Sequence, residues 1–195
     1  MVRRYRQYTK ELHFKGVTVG QREGDSFHDT VGVFPESVQS ILSDLGQFPK
    51  LKAVHIEFPI HFDEFSDDFY MFQYEETQEE VVGEEANEGW RALMAKTFQA
   101  LAQNTIPGFK SLVISNLVPK EVSTFSTTAF HKFLGQMEHF ELSVSGADNG
   151  AGWKITTLEC FTAFVDKLDQ WFFNHLVSVT DLTIDAYEEG CFGSL

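Results

Sequence analysis

The sequence predicts an α/β fold in which five strand-and-helix units stack side by side into an irregular arc of parallel strands, with helices on the convex side. Three observations lead there. Five short runs share one template of apolar, two variable, apolar, variable, apolar residues. A helix-period stretch separates each run from the next. The chain of 195 residues suits one domain, because that length buries a continuous core without disulfides or metals.

The first run is Thr9-Lys10-Glu11-Leu12-His13-Phe14, with Thr9 a weak apolar start. A helix over 35–45 follows, opened by Pro35, which is pre-set for a first turn. It carries Val38, Ile41, Leu42 and Leu45 on one face and stops at Gly46. Leu51 to Ile56 is the second run. The next helix, 88–103, aligns Trp90, Leu93, Met94, Phe98 and Leu101, with Asn87 as its N-cap. Phe109 to Ile114 is the third run, followed by a short helix over 127–134 with Phe130, Phe133 and Leu134 inward and Gly135 at its end. Met137 to Leu142 is the fourth. The longest helix, 157–175, follows a capping-box pattern at Thr156-Thr157-Leu158-Glu159 and buries Phe161, Phe164, Val165, Leu168 and Phe172. Val179 to Ile184 is the last run. With 20 Phe in the chain, the core is expected to be aromatic-rich.

Repeated strands with helical returns mark a stacked parallel sheet, because each unit leaves an apolar face that its neighbour covers. The template's central residues, Leu12, Val54, Leu112, Phe140 and Leu182, are 42, 58, 28 and 42 residues apart. Such uneven spacing also suits a doubly wound sheet. Strand order separates the two: sequential order fits the arc, a switch in order the doubly wound fold.

The unequal spacing and the segments "FPKLKAVHIEF" and "FKSLVISNLVP" resemble the leucine-rich-repeat-like region of fungal F-box-type proteins, over about Thr9 to Ile184. The resemblance implies a curved scaffold with a target-binding face, behind an F-box that docks on a ubiquitin-ligase adaptor. Only eight residues precede the first run here, so no F-box is expected and an adaptor dock is not implied.

Composition narrows the partners. The net charge of −14 repels phosphate backbones and no basic stripe offsets it, so nucleic acid is not expected and a protein target with a basic surface is. No stretch approaches the roughly 18 apolar residues of a spanning helix. Cys160 and Cys191 form no C-x-x-C pair, which suits a reducing compartment, cytoplasmic or nuclear. There is no G-x-S-x-G, P-loop or G-x-G-x-x-G, so neither catalysis nor a cofactor is expected. The oligomeric state is not legible.

Two regions are candidate binding surfaces. Between Lys52 and Arg91 there is no Lys or Arg, while acids crowd the interval and aromatics are interspersed with the first of them. This predicts an acidic aromatic insertion over about 59–86. Asp63, Glu64, Phe65, Asp67 and Asp68 are its contact residues, and 75–86 is expected to be solvated and mobile because like charges oppose a helix. His61 and the neighbouring acids lack the spacing of a calcium loop, so no metal is expected. The second surface is the polar side of the sheet. Its rows would be His13, His55, Val113, Glu141, Thr183 and Lys15, Glu57, Ser115, Ser143, Asp185. From these, His13, His55, Glu57, Glu141 and Asp185 are the expected binding residues. His13 and His55 would be about 4.8 Å apart, close enough for charge on one to disfavour charge on the other. Beside Glu141 they would also suit acid–base chemistry in a small α/β enzyme with its site at the strand ends. A deep pocket around them would favour that alternative, and an open polar face the non-catalytic interaction scaffold.

Overall fold

The computed structural model describes residues 5–15, 17–18, 32–33, 36–58, 76–87, 89–104, 108–117, 120–144 and 166–185. Strand β1 (Glu11–Lys15) is followed by a small antiparallel ribbon of β2 (Val17–Thr18) and β3 (Gly32–Val33), and by helix α1 (Glu36–Ser43). Then come β4 (Ala53–Glu57), α2 (Gln78–Asn87), α3 (Gly89–Ala102), β5 (Ser111–Leu117), α4 (Thr128–Leu134), β6 (His139–Val144) and β7 (Asp181–Asp185). Residues 166–171, before β7, are helical.

The five template strands form one parallel sheet in the order β1-β4-β5-β6-β7. The order is sequential and never reverses. Leu12, Val54, Leu112, Phe140 and Leu182 lie in one register row, so the template aligned the strands without a slip. Such agreement has a physical basis: a slip of one residue would exchange the two faces of a strand.

Val54, Ile56, Leu112, Ile114, Phe140 and Leu142 are buried in a single cluster with Leu42, Leu93, Met94, Phe98, Leu101, Phe130 and Phe133 from the helices. Helices α1, α3 and α4 therefore share one core with the inward side of the sheet. That core is aromatic, as expected: Phe98 meets Phe125, Phe130 and Phe172 edge-on, with ring centroids 5.0, 5.5 and 6.3 Å away. At the end of the row Leu182 and Ile184 are exposed, since β7 is the last strand of the sheet.

The junctions from helix to strand repeat. Leu51 N–H donates to Phe48 O and Phe48 N–H to Leu45 O; Met137 donates to Leu134, Val179 to Leu176 and Leu176 to Phe173. An apolar residue at every third position thus turns the chain through tight steps into β4, β6 and β7. Lys10, Lys52, Lys110 and Glu138 carbonyls then each accept two amides from the next unit. The template's first apolar residues, Leu51, Phe109 and Met137, are buried in these junctions, which is why the strands begin two residues later than the runs.

The helices differ from expectation in informative ways. Helix α4 matches, with Thr127 Oγ1 accepting from Phe130 N–H at the predicted boundary. Helix α1 ends at Ser43, and Gly46 lies inside a short 3-10 turn, Leu45–Gln47. Asn87 closes α2 instead of capping α3. The long fourth helix is described only from 166, gives way to a 3-10 turn at Phe173–His175, and its earlier part lies outside the described residues.

The largest correction concerns 75–86, expected to be solvated and mobile. Helix α2 occupies 78–87, with Val81 fully buried. A capping box starts it: Thr77 Oγ1 accepts from Glu80 N–H at 3.3 Å and Glu80 Oε2 from Thr77 N–H at 2.7 Å. The Thr77 N–H and Oγ–H, both donating to Glu80 Oε2, hold the Glu80 carboxyl below the usual carboxylate range. Glu76 and Glu84 meet a cation. Arg91, fully buried on α3, donates to Glu76 at 2.5 Å, to Glu84, and to Glu121 O at 2.8 Å, while Lys120 adds a second contact to Glu76. Glu85 accepts from Ser123 N–H and Oγ–H. Like-charge repulsion is thus offset by a buried guanidinium that sequence spacing does not bring to the acids. The earlier part of the insertion, with Asp63, Glu64, Phe65, Asp67 and Asp68, lies outside the described residues.

Candidate functional site

The polar face of the sheet is the candidate site, because alternation turns every second residue of each strand away from the helices. His13 pairs with His55, His55 with Val113, Val113 with Glu141 and Glu141 with Thr183. The predicted row is therefore real. Lys15 pairs with Glu57, and its ammonium lies 2.6 Å from the Glu57 carboxylate. A third row, Glu11, Ala53, Ser111, His139 and Asp181, lies two residues earlier along the strands.

The row through Lys15 and Glu57 does not run unbroken. The pairing of β5 with β6 shifts between Ile114 and Leu117, so Ser115 does not face Ser143 as expected. The cause is Asn116, whose φ of 57° lies in the left-handed region that Asn tolerates. Its Nδ2 donates to Phe58 O and its backbone N–H to Ser143 Oγ, both at 3.3 Å. A local bulge thus separates Lys15 and Glu57 from Ser143 and Asp185, which pair with each other on the far side.

His13 and His55 stack, with ring centroids 4.1 Å apart and planes 9° from parallel. Burial and the nearby His13 hold His55 below the ordinary imidazole value, against the opposing pull of Glu11 and Glu141. Glu11, missed in the sequence, brings its carboxylate to 3.8 Å from His13 Nε2. It lies two residues before His13 in the same alternation, and that spacing is the signal that identifies it. On β6, His139 and Glu141 form a second His–carboxylate pair at 3.9 Å. Glu141 stands two strands from His55, about 9.6 Å away by sheet spacing. Val113 lies between, so the imidazoles and Glu141 are not brought into one constellation.

The face is open. His13 and Glu11 side chains are 65% and 63% exposed and Glu141 is 45% exposed, so they line no deep pocket. A groove of about 700 Å³ lies elsewhere, among α2, α3 and α4, and is lined by Val82, Ala95, Lys96, Thr124 and Ala129. It contains none of the predicted site residues. A second imidazole stack, His131 on His175 at 3.5 Å, also lies away from the face, and each ring bonds a backbone carbonyl.

Comparison with protein-family models, curated proteins and solved structures returned no match. Among the described residues no helix is long and apolar enough to cross a membrane.

Proposed function

We propose that this chain is a non-catalytic interaction scaffold that recognises a protein target with the open polar face of its sheet, as the resemblance to the target-binding region of F-box-type proteins implies. The observation that carries the reading is the accessibility of that face: its polar side chains stand in three rows, exposed on β1 and β7 and half-buried on the strands between, on a sheet whose other side is held by a continuous core. Rigid support beneath an exposed polar array favours binding, because little order is lost when a partner docks.

Charge indicates the kind of partner. Glu11, Glu57, Glu141 and Asp181 stand against Lys15 on the described face, and the chain carries −14 overall. A basic protein surface is attracted to this field and a nucleic acid is repelled. The repeating junctions and sequential strands support the stacked-arc form of the scaffold. Cys160 and Cys191 form no C-x-x-C pair, which supports a cytoplasmic or nuclear setting.

The test is affinity capture with wild type, with the face variant Glu57→Lys/Glu141→Lys, and with Lys96→Glu/Lys132→Glu on the helical side. A target retained by wild type and the helical-side variant, lost by the face variant and weakened by salt is the expected result. Equal retention by all three would overturn the assignment of the face.

A further inference from the structure

Four same-face positions on β1 and β4 form the corners of a small patch: Glu11 and His13 on one strand, Ala53 and His55 on the other. Three corners carry donors and the fourth a methyl. One donor atom from each of Glu11, His13 and His55 lies within 4.8 Å of the other two. We propose that Glu11, His13 and His55 form a binding site for a divalent transition ion, with Zn²⁺ the best match to two imidazoles and a carboxylate.

The distances favour a single ion. With metal–nitrogen bonds of about 2.0–2.1 Å, tetrahedral ligand atoms are about 3.3 Å from one another. The Glu11–His13 separation of 3.8 Å is already near that, and the His13–His55 centroids are 4.1 Å apart. In the ion-free stack the rings are nearly parallel, so their lone pairs do not converge on one point. Binding splays the rings about their side-chain torsions, and the exposure of His13 and Glu11 leaves that movement free.

Donor chemistry selects the ion. Calcium and magnesium prefer six or more oxygens, whereas imidazole nitrogens with one carboxylate suit zinc and its neighbours. Because Ala53 offers no ligand atom, the fourth position falls to water or to an atom of a bound molecule. A site of three protein ligands with one open position is the arrangement that keeps a metal exchangeable and reactive. Parallel strands supply what sequence separation conceals: the backbone pairing of Leu12 with Val54 holds His13 and His55, 42 residues apart, at one register position.

The inference stands apart from target recognition, and either can fail without the other. Zn²⁺ is titrated calorimetrically into the chelator-treated full chain, and Co²⁺ is used as a spectroscopic substitute. The expected result is one equivalent of Zn²⁺ and visible ligand-field bands of a low-coordinate Co²⁺ site. His13→Gln, His55→Gln and Glu11→Gln should each weaken association at least about tenfold, with circular dichroism unchanged. His139→Gln, on β6, should stay within about twofold of wild type. Three results would overturn the site: no saturable binding, several weak equivalents without ligand-field bands, or a loss in His139→Gln as large as in His55→Gln. Should one Gln variant misfold, the Co²⁺ spectrum of the other two decides, since either donor's removal must change it.

Discussion

Asn104 ties two units together, and its replacement by Ala tests how the stack is held. The residue is 6% exposed and sits just past the end of α3. Its Oδ1 accepts from Leu45 N–H at 2.8 Å, and its Nδ2 donates to Leu42 O at 2.5 Å, so the amide clamps the end of α1. The same Nδ2 also reaches Ala100 O and Leu101 O, closing the last turn of its own helix. Asn104→Ala removes two links between elements, each worth about 1 kcal/mol net, and strands the amide of fully buried Leu45 without its acceptor, at about 1–3 kcal/mol. The expected loss is about 3–5 kcal/mol in total. For a chain of this length, that lowers the thermal midpoint by roughly 6–20 °C. Urea unfolding followed by circular dichroism measures it, and the denaturant slope should not change, because the same surface is exposed on unfolding.

The companion substitution Asn104→Asp checks the sign of the interaction. A carboxylate keeps the acceptor for Leu45 N–H but turns repulsive oxygens on Leu42 O, Ala100 O and Leu101 O, so burial would raise its folded pKa above the unfolded value. Between those two values the native state binds more protons than the unfolded state, and stability therefore falls as pH rises. Asp should be worse than Ala at neutral pH and recover in acid. A midpoint within about 2 °C of wild type for Asn104→Ala, or no pH dependence for Asn104→Asp, would refute the clamp.

Two further predictions follow from the polar contacts. Arg91→Met removes the buried guanidinium that Glu76, Glu84 and Glu121 O surround, which should cost about 3–5 kcal/mol and open α2 to a glutamate-specific protease; unchanged cleavage within 78–87 would mean that Val81 and the Glu85–Ser123 bonds hold α2 without the guanidinium. The His55 imidazole, followed by NMR with a chelator present, should titrate below 6.5, rise in His13→Ala and fall further in Glu11→Gln, since the first removes a lowering neighbour and the second a raising one. Because its folded value is depressed, His55's contribution to stability is complete above the unfolded value and is lost as pH falls through the folded one. A His55 midpoint unaffected by His13→Ala would contradict the stack.

The sequence carried more about α2 than its charge suggested. Thr77-Gln78-Glu79-Glu80 is itself a capping box, and Arg91 is the first cation after the acidic tract. Density of like charge argued for a solvated segment, but that argument treats the acids as facing one another. In the fold they face Arg91, Lys120 and the amide of Ser123. Local repulsion of a few tenths of a kcal/mol per pair is small beside charge-assisted hydrogen bonds to a desolvated guanidinium.

By itself the sequence determined the five strands, their shared register and which of their residues turn inward, because alternation is local and a slip would bury the wrong face. It also placed His13 beside His55, since one template fixes both. Only the tertiary structure decided the bulge at Asn116, the docking of α2 through Arg91, the clamp of Asn104 on Leu42 and Leu45, and the meeting of Glu11 with both imidazoles. Each of these depends on hydrogen bonds or approaches between segments far apart in the chain. Their geometry exists only once the units have stacked, so no period in the sequence records it.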